Sequence, residues 1–584
     1  MEIRRIDTDI LILGAGGAGL FAALHAKKTA PDLEVTIAVK GLLGKCGCTR
    51  MVQGGYNVAL AEGDSVERHF MDTIEGGKWL NNQDLAWKLV TEAQVRIREL
   101  ENELGCFFDR NPDGTVHQKA FAGQTFDRTV HKGDLTGIEI INRLSEQVWR
   151  RDVRRMEDHR ALDFIPAADG SGLAGVLMLD MRTGEPSLVR AKATLLATGG
   201  GPTMYKYHTP SGDKTCDGLA MALRAGLSLR DMEMVQFHPT GLLAGAGTRM
   251  TGTVLEEGLR GAGGRLLDSS GARFMFDYDD HGERATRDIV SRSIMYQLRK
   301  GLSTKNGGVH IQMSHLGPAN VTKQFKGMVE RCADCGFDLA GGLVEVIPTA
   351  HYMMGGVEFD LDCRTSMPRL YAAGEDTGGV HGANRLGGNG VANSTVFGGI
   401  AGASMARAVL RDGSLADPDA NAIDQSIDRA FSPLGRPSGD LNEIRENLLE
   451  TMWDDVGILR SGEGLARGAA ALDDLREAVA RCGVDDSDRR YNLTWTDRLN
   501  LENLIQVSRT ICAAAQARTD SRGAHFREDH PTASELATSR YTVVRMEGDD
   551  IRISTEPVHF TRVQPGQTLL GEAPPAVPAF AAHS

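Results

Sequence analysis

No apolar run in the 584-residue chain approaches the roughly 18–20 residues that a membrane-spanning helix needs. Positive charge is also short, since 65 Lys and Arg stand against 78 Asp and Glu, for a net charge of −13. That balance argues against nucleic-acid binding, which needs a basic face, and leaves room for a local cationic pocket. A signal-peptide pattern is missing, because "MEIRRIDTDILILGAGGAG" runs from a polar start straight into a strand. An even cysteine framework is missing too. The nine cysteines are odd in number and scattered, which fits a reducing cytoplasm better than disulfides. Cys332 and Cys335 form a lone CxxC with no second pair and no nearby His, and read as structural, so no metal site is expected. An iron–sulfur cluster needs four ligands, and "CGC" at 46–48 supplies only two. Single electrons would have to leave through another chain. No repeat of 20–50 residues is present.

What the chain has is glycine, 69 residues of it, in turns and close backbone approaches rather than in low-complexity tracts. Residues 9–13, "DILIL", read as a buried parallel strand, followed by "GAGGAG", a helical stretch, and a second strand "EVTIAVK". In this strand–turn–helix context Gly14, Gly16 and Gly19 form GxGxxG, with Gly17 inside it. Gly14 makes the turn, Gly16 admits a pyrophosphate, and Gly19 lets helix and strand approach. The second strand ends in Lys40 rather than an acid, so the motif alone does not separate NAD from FAD. "ATLLATGG" and "LYAAGE", with Thr198, Gly199 and Glu375, favour FAD as later returns to the same fold. Residues 84–105 form an expected amphipathic helix with Asp84 as its N-cap. Residues 161–198 read as strands, 240–350 as mixed, and the region after "LGRPSG" as largely helical. A final hairpin, "RYTVVRMEGDDIRIST", precedes a Pro- and Ala-rich tail expected to be loosely ordered.

Five longer motifs go further: "QFHPTG" (236–241), "RDIVSRSIM" (287–295), "IPTAHYMMGGV" (347–357), "HGANRLGGN" (381–389) and "RTDSRGAHFREDHP" (518–531). In this order the chain resembles the flavoprotein subunit of succinate dehydrogenases and fumarate reductases, over roughly residues 8–531, with L-aspartate oxidase a close relative. The resemblance implies an α/β fold: a Rossmann-like FAD-binding domain (1–237 and 351–415), an inserted α+β capping domain (238–350), a C-terminal helical domain (416–531), and a hairpin and tail (532–584). It implies hydride transfer between flavin N5 and a C4 dicarboxylate or analogue. It places His238, His351 and Arg385 on substrate carboxylates, and Phe121 in a segment that sides with the dicarboxylate enzymes. Arg287 matches the family's proton donor, a role Arg fills only in a dry site with a relay, here Glu257 and Arg260. Lys40, Thr49, Gln53, Gly54, Gly55, Asp217 and Asn389 fall at cofactor positions of the pattern.

Three departures matter. The family's histidine that carries covalent FAD has no counterpart near Gly47–Thr49, so FAD is expected to be non-covalent. Gly390 stands where the family has Ser. Glu256 replaces a Thr that donates to a substrate carboxylate, and a second acid beside a dianion is repulsive unless protonated or turned away. The expected partners are a small carboxylate and a separate iron–sulfur subunit, with any membrane attachment peripheral, on the inner face, through other subunits. The alternatives are an L-aspartate oxidase-like enzyme or a flavin electron-transfer subunit with an altered substrate site.

Overall fold

A computed structural model describes residues 3–571 apart from 246, 247 and 249. The tail from 572 onward lies outside the described residues. The first lobe is built on a seven-stranded sheet. Arg4–Leu13 pairs in parallel with Val35–Ala38 on one side and Glu185–Leu196 on the other, and Arg154–Met156 extends the parallel edge. His159–Pro166 and Leu173–Asp180 complete the other side as antiparallel strands. Leu370–Ala372 then pairs in parallel with Thr194–Leu196, so the chain returns to its first sheet after building a second lobe. The last four residues of Arg4–Leu13, Ile10 to Leu13, are all apolar and buried, as a strand covered on both faces requires.

Helix Gly17–Thr29 crosses helix Asn389–Asp412 closely. A Cβ at Gly398 would lie 2.5 Å from Ala18 O, and one at Gly402 would lie 2.1 Å from Ala22 O, so only glycine allows that crossing. The helix expected at 84–105 runs Gln83–Asn102, but Asn82 caps it instead of Asp84. Asn82 Oδ1 accepts from the backbone N–H of Asp84 and Leu85, while Asp84 lies in the first turn, where its charge suits the helix dipole.

The second lobe holds a four-stranded antiparallel sheet: Val235–Leu242, Leu343–Met353, Val309–Gln312, Arg265–Leu267. Its core is Leu242, Leu266, Val290, Ile294, Ile311 and Val346, with Cys332 buried among them. Val235–Leu242 and Leu343–Met353 both run across the lobe boundary, which ties the two lobes by continuous strands. Helices Leu441–Asp454, Gly462–Arg481 and Leu493–Ala517 pack together beyond. The hairpin Arg540–Glu547/Asp550–Pro557 turns at Gly548, whose φ is +62°, and adds to Leu229–Arg230 of the first lobe. All nine cysteines are free thiols. Among the described residues no helix is long and apolar enough to cross a membrane, and no cluster of three metal-ligating side chains occurs.

Candidate active site

A cavity of about 1300 Å³ opens between the lobes, joined to a second of about 610 Å³ through shared walls at Gly16, Gly47, Thr198, Gly199 and Lys214. The smaller chamber lies against the first strand–turn–helix. Gly14 has φ +108°, and a Cβ there would sit 2.1 Å from Ala197 O. A Cβ on Gly19 would sit 2.0 Å from Gly14 O, so Gly19 serves the helix–strand approach and lies outside both chambers. The backbone N–H of Gly17 donates to Thr49 Oγ1 at 3.1 Å. Gln53, Gly54 and Gly55 continue the wall of the larger chamber, and Gln53 Oε1 is buried without a hydrogen-bond partner. Lys40 and Asp217 line the smaller chamber 2.8 Å apart. Burial alone would raise the Asp217 carboxyl, but Arg160 and Lys40 outweigh it and hold the group well below the usual range.

Thr198 and Gly199 bond to Asp376 behind the wall, while the neighbouring Glu375 faces the larger chamber. Glu375 accepts one backbone bond, from Met353, and burial pushes its carboxyl up to about 7. A long, bent, glycine-walled cleft with an orphaned amide oxygen, a lysine and an under-bonded carboxyl suits a dinucleotide with hydroxyl-rich linkers, and the residues fit FAD. One expectation needs correcting. The side chain of Asn389 points away from the cleft, onto Asn57, His69 and Thr73, and the wall there is Gly388, Gly390 and Val391. The cause is that Asn389 is the first residue of its helix and braces the helix start internally.

The catalytic candidates meet at the second-lobe side. Arg287, the first residue of helix Arg287–Arg299, donates to Glu257 Oε2 at 2.6 Å and to Gln236 Oε1 at 3.0 Å. Arg260 donates to Glu257 Oε1 at 3.1 Å from behind, outside the cavity wall. Glu257 and Arg260 are buried, which excludes a surface ion pair of the i,i+3 kind. Burial would raise the Glu257 carboxyl, but Arg287 and Arg260 prevail and hold it below its ordinary value. His238 lies at a register shift in its strand, where Pro239 cannot donate to the ladder, and the bulge sets its ring into the cavity. His238 Nδ1 accepts from Thr240 N–H at 3.3 Å, and His351 Nδ1 pairs with the Thr209 hydroxyl at 2.8 Å. Burial, then the nearby arginines, push both imidazoles well below their ordinary range, so both are neutral near pH 7.

Arg385 is 5% exposed and its guanidinium stacks 4.4 Å from the Tyr352 ring. It donates only to Leu386 O, its Nε is unpartnered, and it has no acidic partner among the described residues. Burial, with Arg287 nearby, lowers it to about 10. Phe121 also lines the wall, and a Cβ on Gly387 would meet its ring at 2.5 Å. Glu256 also faces the cavity, and it pairs with Lys119. Sequence reasoning missed Lys119, Lys214, Gln236 and Tyr352. Gln236 and Tyr352 lie inside the quoted motifs, whereas nothing in the local sequence marks either lysine.

A family profile described as an FAD binding domain matches residues 9–391, and one described as fumarate reductase flavoprotein C-term matches residues 445–570. The chain belongs to the fumarate reductase flavoprotein family. It is 40% identical to one subunit of the fumarate reductase (CoM/CoB) of Methanothermobacter marburgensis, over 91% of this chain and 96% of that protein. The fumarate reductase flavoprotein subunit of Escherichia coli is 33% identical over 100% of this chain and 99% of its own length. A solved E. coli quinol fumarate reductase chain superposes with a TM-score of 0.91 at 31% identity, covering 98% of this chain and 100% of that one. FAD is therefore the cofactor of this flavoprotein, and the chain is an oxidoreductase of the fumarate reductase/succinate dehydrogenase type.

Proposed function

We propose that the cavity holds a small unsaturated carboxylate and that Arg287 delivers a proton to it as its double bond is reduced. The observation that carries this reading is Arg385, a buried cation with no acid to pair with among the described residues, facing a chamber that also holds two neutral histidines. An unpaired buried charge is costly, and a bidentate carboxylate relieves that cost. His238 and His351 then donate to ligand oxygens, and Phe121 keeps water off the reacting carbon. Bound FAD supplies the two-electron hydride chemistry. Arg287 supplies the proton and is reloaded by one passed from Arg260 through the Glu257 carboxylate, over contacts of 3.1 and 2.6 Å.

At the cofactor end, Gly14, Gly16, Lys40 and Asp217 take the dinucleotide's nucleotide half, and Thr49, Gln53 and Glu375 its flavin half. The attachment is non-covalent in this reading, because no histidine is among the residues that line the cleft beside Thr49 and burial pushes the Cys48 thiol up, which disfavours its thiolate. Electrons arrive through a separate iron–sulfur subunit in the cytoplasm, with any membrane contact made by further subunits. The relatives' names differ in donor, CoM/CoB in one and quinol in another, and in this reading the choice of donor belongs to the partner chains. The domain limits given above, 1–237, 238–350, 351–415 and 416–531, describe the proposed division of labour. No observation favours the L-aspartate oxidase reading: apolar Phe121 stands in the segment where that enzyme carries a Glu.

The test is anaerobic reoxidation of the reduced holoprotein by a panel of unsaturated carboxylates. At least one should reoxidise the flavin, and Arg287→Lys should slow it by about 10³-fold with flavin content unchanged, the scale of a lost proton donor. Reoxidation that Arg287→Lys leaves at full rate would remove Arg287 from the reaction.

A further inference from the structure

Glu256 precedes the short helix Gly258–Gly261 and is 4% exposed on the cavity wall. The one hydrogen-bond and ion-pair partner of its side chain among the described residues is Lys119, which reaches Oε1 from the strand Gln118–Lys119, behind the wall. Lys119 is not itself a lining residue. Among the described residues no hydrogen bond reaches the second carboxylate oxygen, Oε2, and the acids Asp134 and Glu257 add negative field at the group. A ligand meets there an acceptor with no donor, in a spot whose local charge Lys119 only offsets. A ligand carboxylate at that wall would set oxygen against oxygen. A ligand ammonium would have to share the Glu256 carboxylate with Lys119, cation beside cation. A neutral N–H group meets neither objection: it donates to Oε2 and leaves the Lys119 contact intact.

Resting on the carboxylate reading above, we propose that the Lys119–Glu256 pair sets the substrate class: an unsaturated carboxylate whose second polar group is an uncharged hydrogen-bond donor such as a primary amide. The ligand's single carboxylate goes to Arg385, and its amide N–H goes to Glu256. The reaction is otherwise unchanged: two electrons from reduced flavin, carried as a hydride, and one proton from Arg287 saturate the double bond, and the amide is kept. Glu256 acts here by discriminating between ligands, since a wrong partner leaves its buried oxygen unpaired or opposed.

The test is equilibrium titration of the oxidised holoprotein, read from the flavin absorbance spectrum, with the saturated analogues succinamate and succinate. Succinamate should bind the natural chain at least about tenfold more tightly than succinate. Glu256→Gln, which keeps the shape and removes the charge, should free Lys119 and shift that ratio at least about tenfold toward succinate, and Glu256→Thr should do the same. Succinate binding as tightly as succinamate to the natural chain, or a ratio unmoved in both variants, overturns the inference while the spectral response keeps the carboxylate reading. If neither analogue perturbs the flavin, the carboxylate reading falls and the inference falls with it.

Discussion

Arg385 and Glu256 face one cavity under opposite arrangements. Arg385 is stacked on Tyr352 and held by a single backbone bond, and no described residue forms an ion pair with it. Glu256 is met by Lys119 and is electrically closed before any ligand enters. The first wall therefore stores an unfavourable charge that a ligand relieves, whereas the second presents an acceptor whose charge is already matched. Between them, Arg287, Glu257 and Arg260 form a paired cluster, which is the proton-delivering group of the proposal and not a vacant anion site. Charge left unpaired and charge left paired thus divide binding from chemistry within one chamber.

The strongest way to break this contrast is to remove the unpaired cation. Arg385→Met should weaken carboxylate binding by about 100-fold, or ~3 kcal/mol, the scale of charge-assisted bonds lost together. The same change should raise the thermal stability of the ligand-free protein, because it deletes a buried charge that had no partner. Dissociation constants from flavin titration and melting curves of the two proteins check both halves. A variant that melts lower than the natural chain would mean that Arg385 is structurally partnered, and the contrast would lose its first term.

How much of this could be read from the sequence follows the same division. The dinucleotide turn was legible because its chemistry is local: Gly14, Gly16 and Gly19 fall within one strand–turn–helix, and their spacing states the backbone geometry. Arg287 was singled out by a long motif, and Glu257 and Arg260 only by the resemblance to the family, since spacing alone describes an i,i+3 surface pair and the folded chain buries it. Asn389 was misplaced because a motif records that a residue stands near the flavin cleft but not which way its side chain turns. The N-cap at 82 rather than 84 is a smaller case, as Asn and Asp two residues apart are both good caps and tertiary position chooses. Lys119 was invisible. It pairs with a residue 137 positions away, in a contact that exists only once the second lobe folds back over the strand at 118–119.

The second wall is probed by pH. Burial raises the Glu256 carboxyl above its ordinary 4.5, Lys119 pulling the other way and Asp134 and Glu257 adding to the rise. Above the raised value Glu256 is an anion and opposes a second ligand carboxylate; below it the group is neutral and Lys119 is released to attract one. Dicarboxylate binding should therefore tighten as pH falls through that range, with uptake of about one proton per ligand, and log Kd should change with a slope approaching one per pH unit. The two imidazoles contribute nothing to this slope near neutrality, because both are already held neutral. Glu256→Gln should flatten the profile. A dicarboxylate affinity that is flat in the natural chain, or a slope that survives in Glu256→Gln, assigns the proton to another group.

The smallest expected effect tests whether the two walls are independent. At Gly390 a Cβ would lie 3.1 Å from Arg385 Nη1 and 3.2 Å from the Tyr352 ring, so a serine there must displace the stacked guanidinium by a few tenths of an ångström. Gly390→Ser should weaken binding of every carboxylate by about fivefold, near 1 kcal/mol, the lower end of overpacking costs. Since the disturbance stays at Arg385 and the Tyr352 ring stacked on it, succinate and succinamate should lose affinity in equal proportion, and the ratio that Glu256 sets should stay as it was. A ratio that shifts as far as it does in Glu256→Gln would show the two walls moving as one unit. The separation of binding charge from discriminating charge would then have to be abandoned, however well each variant behaved alone.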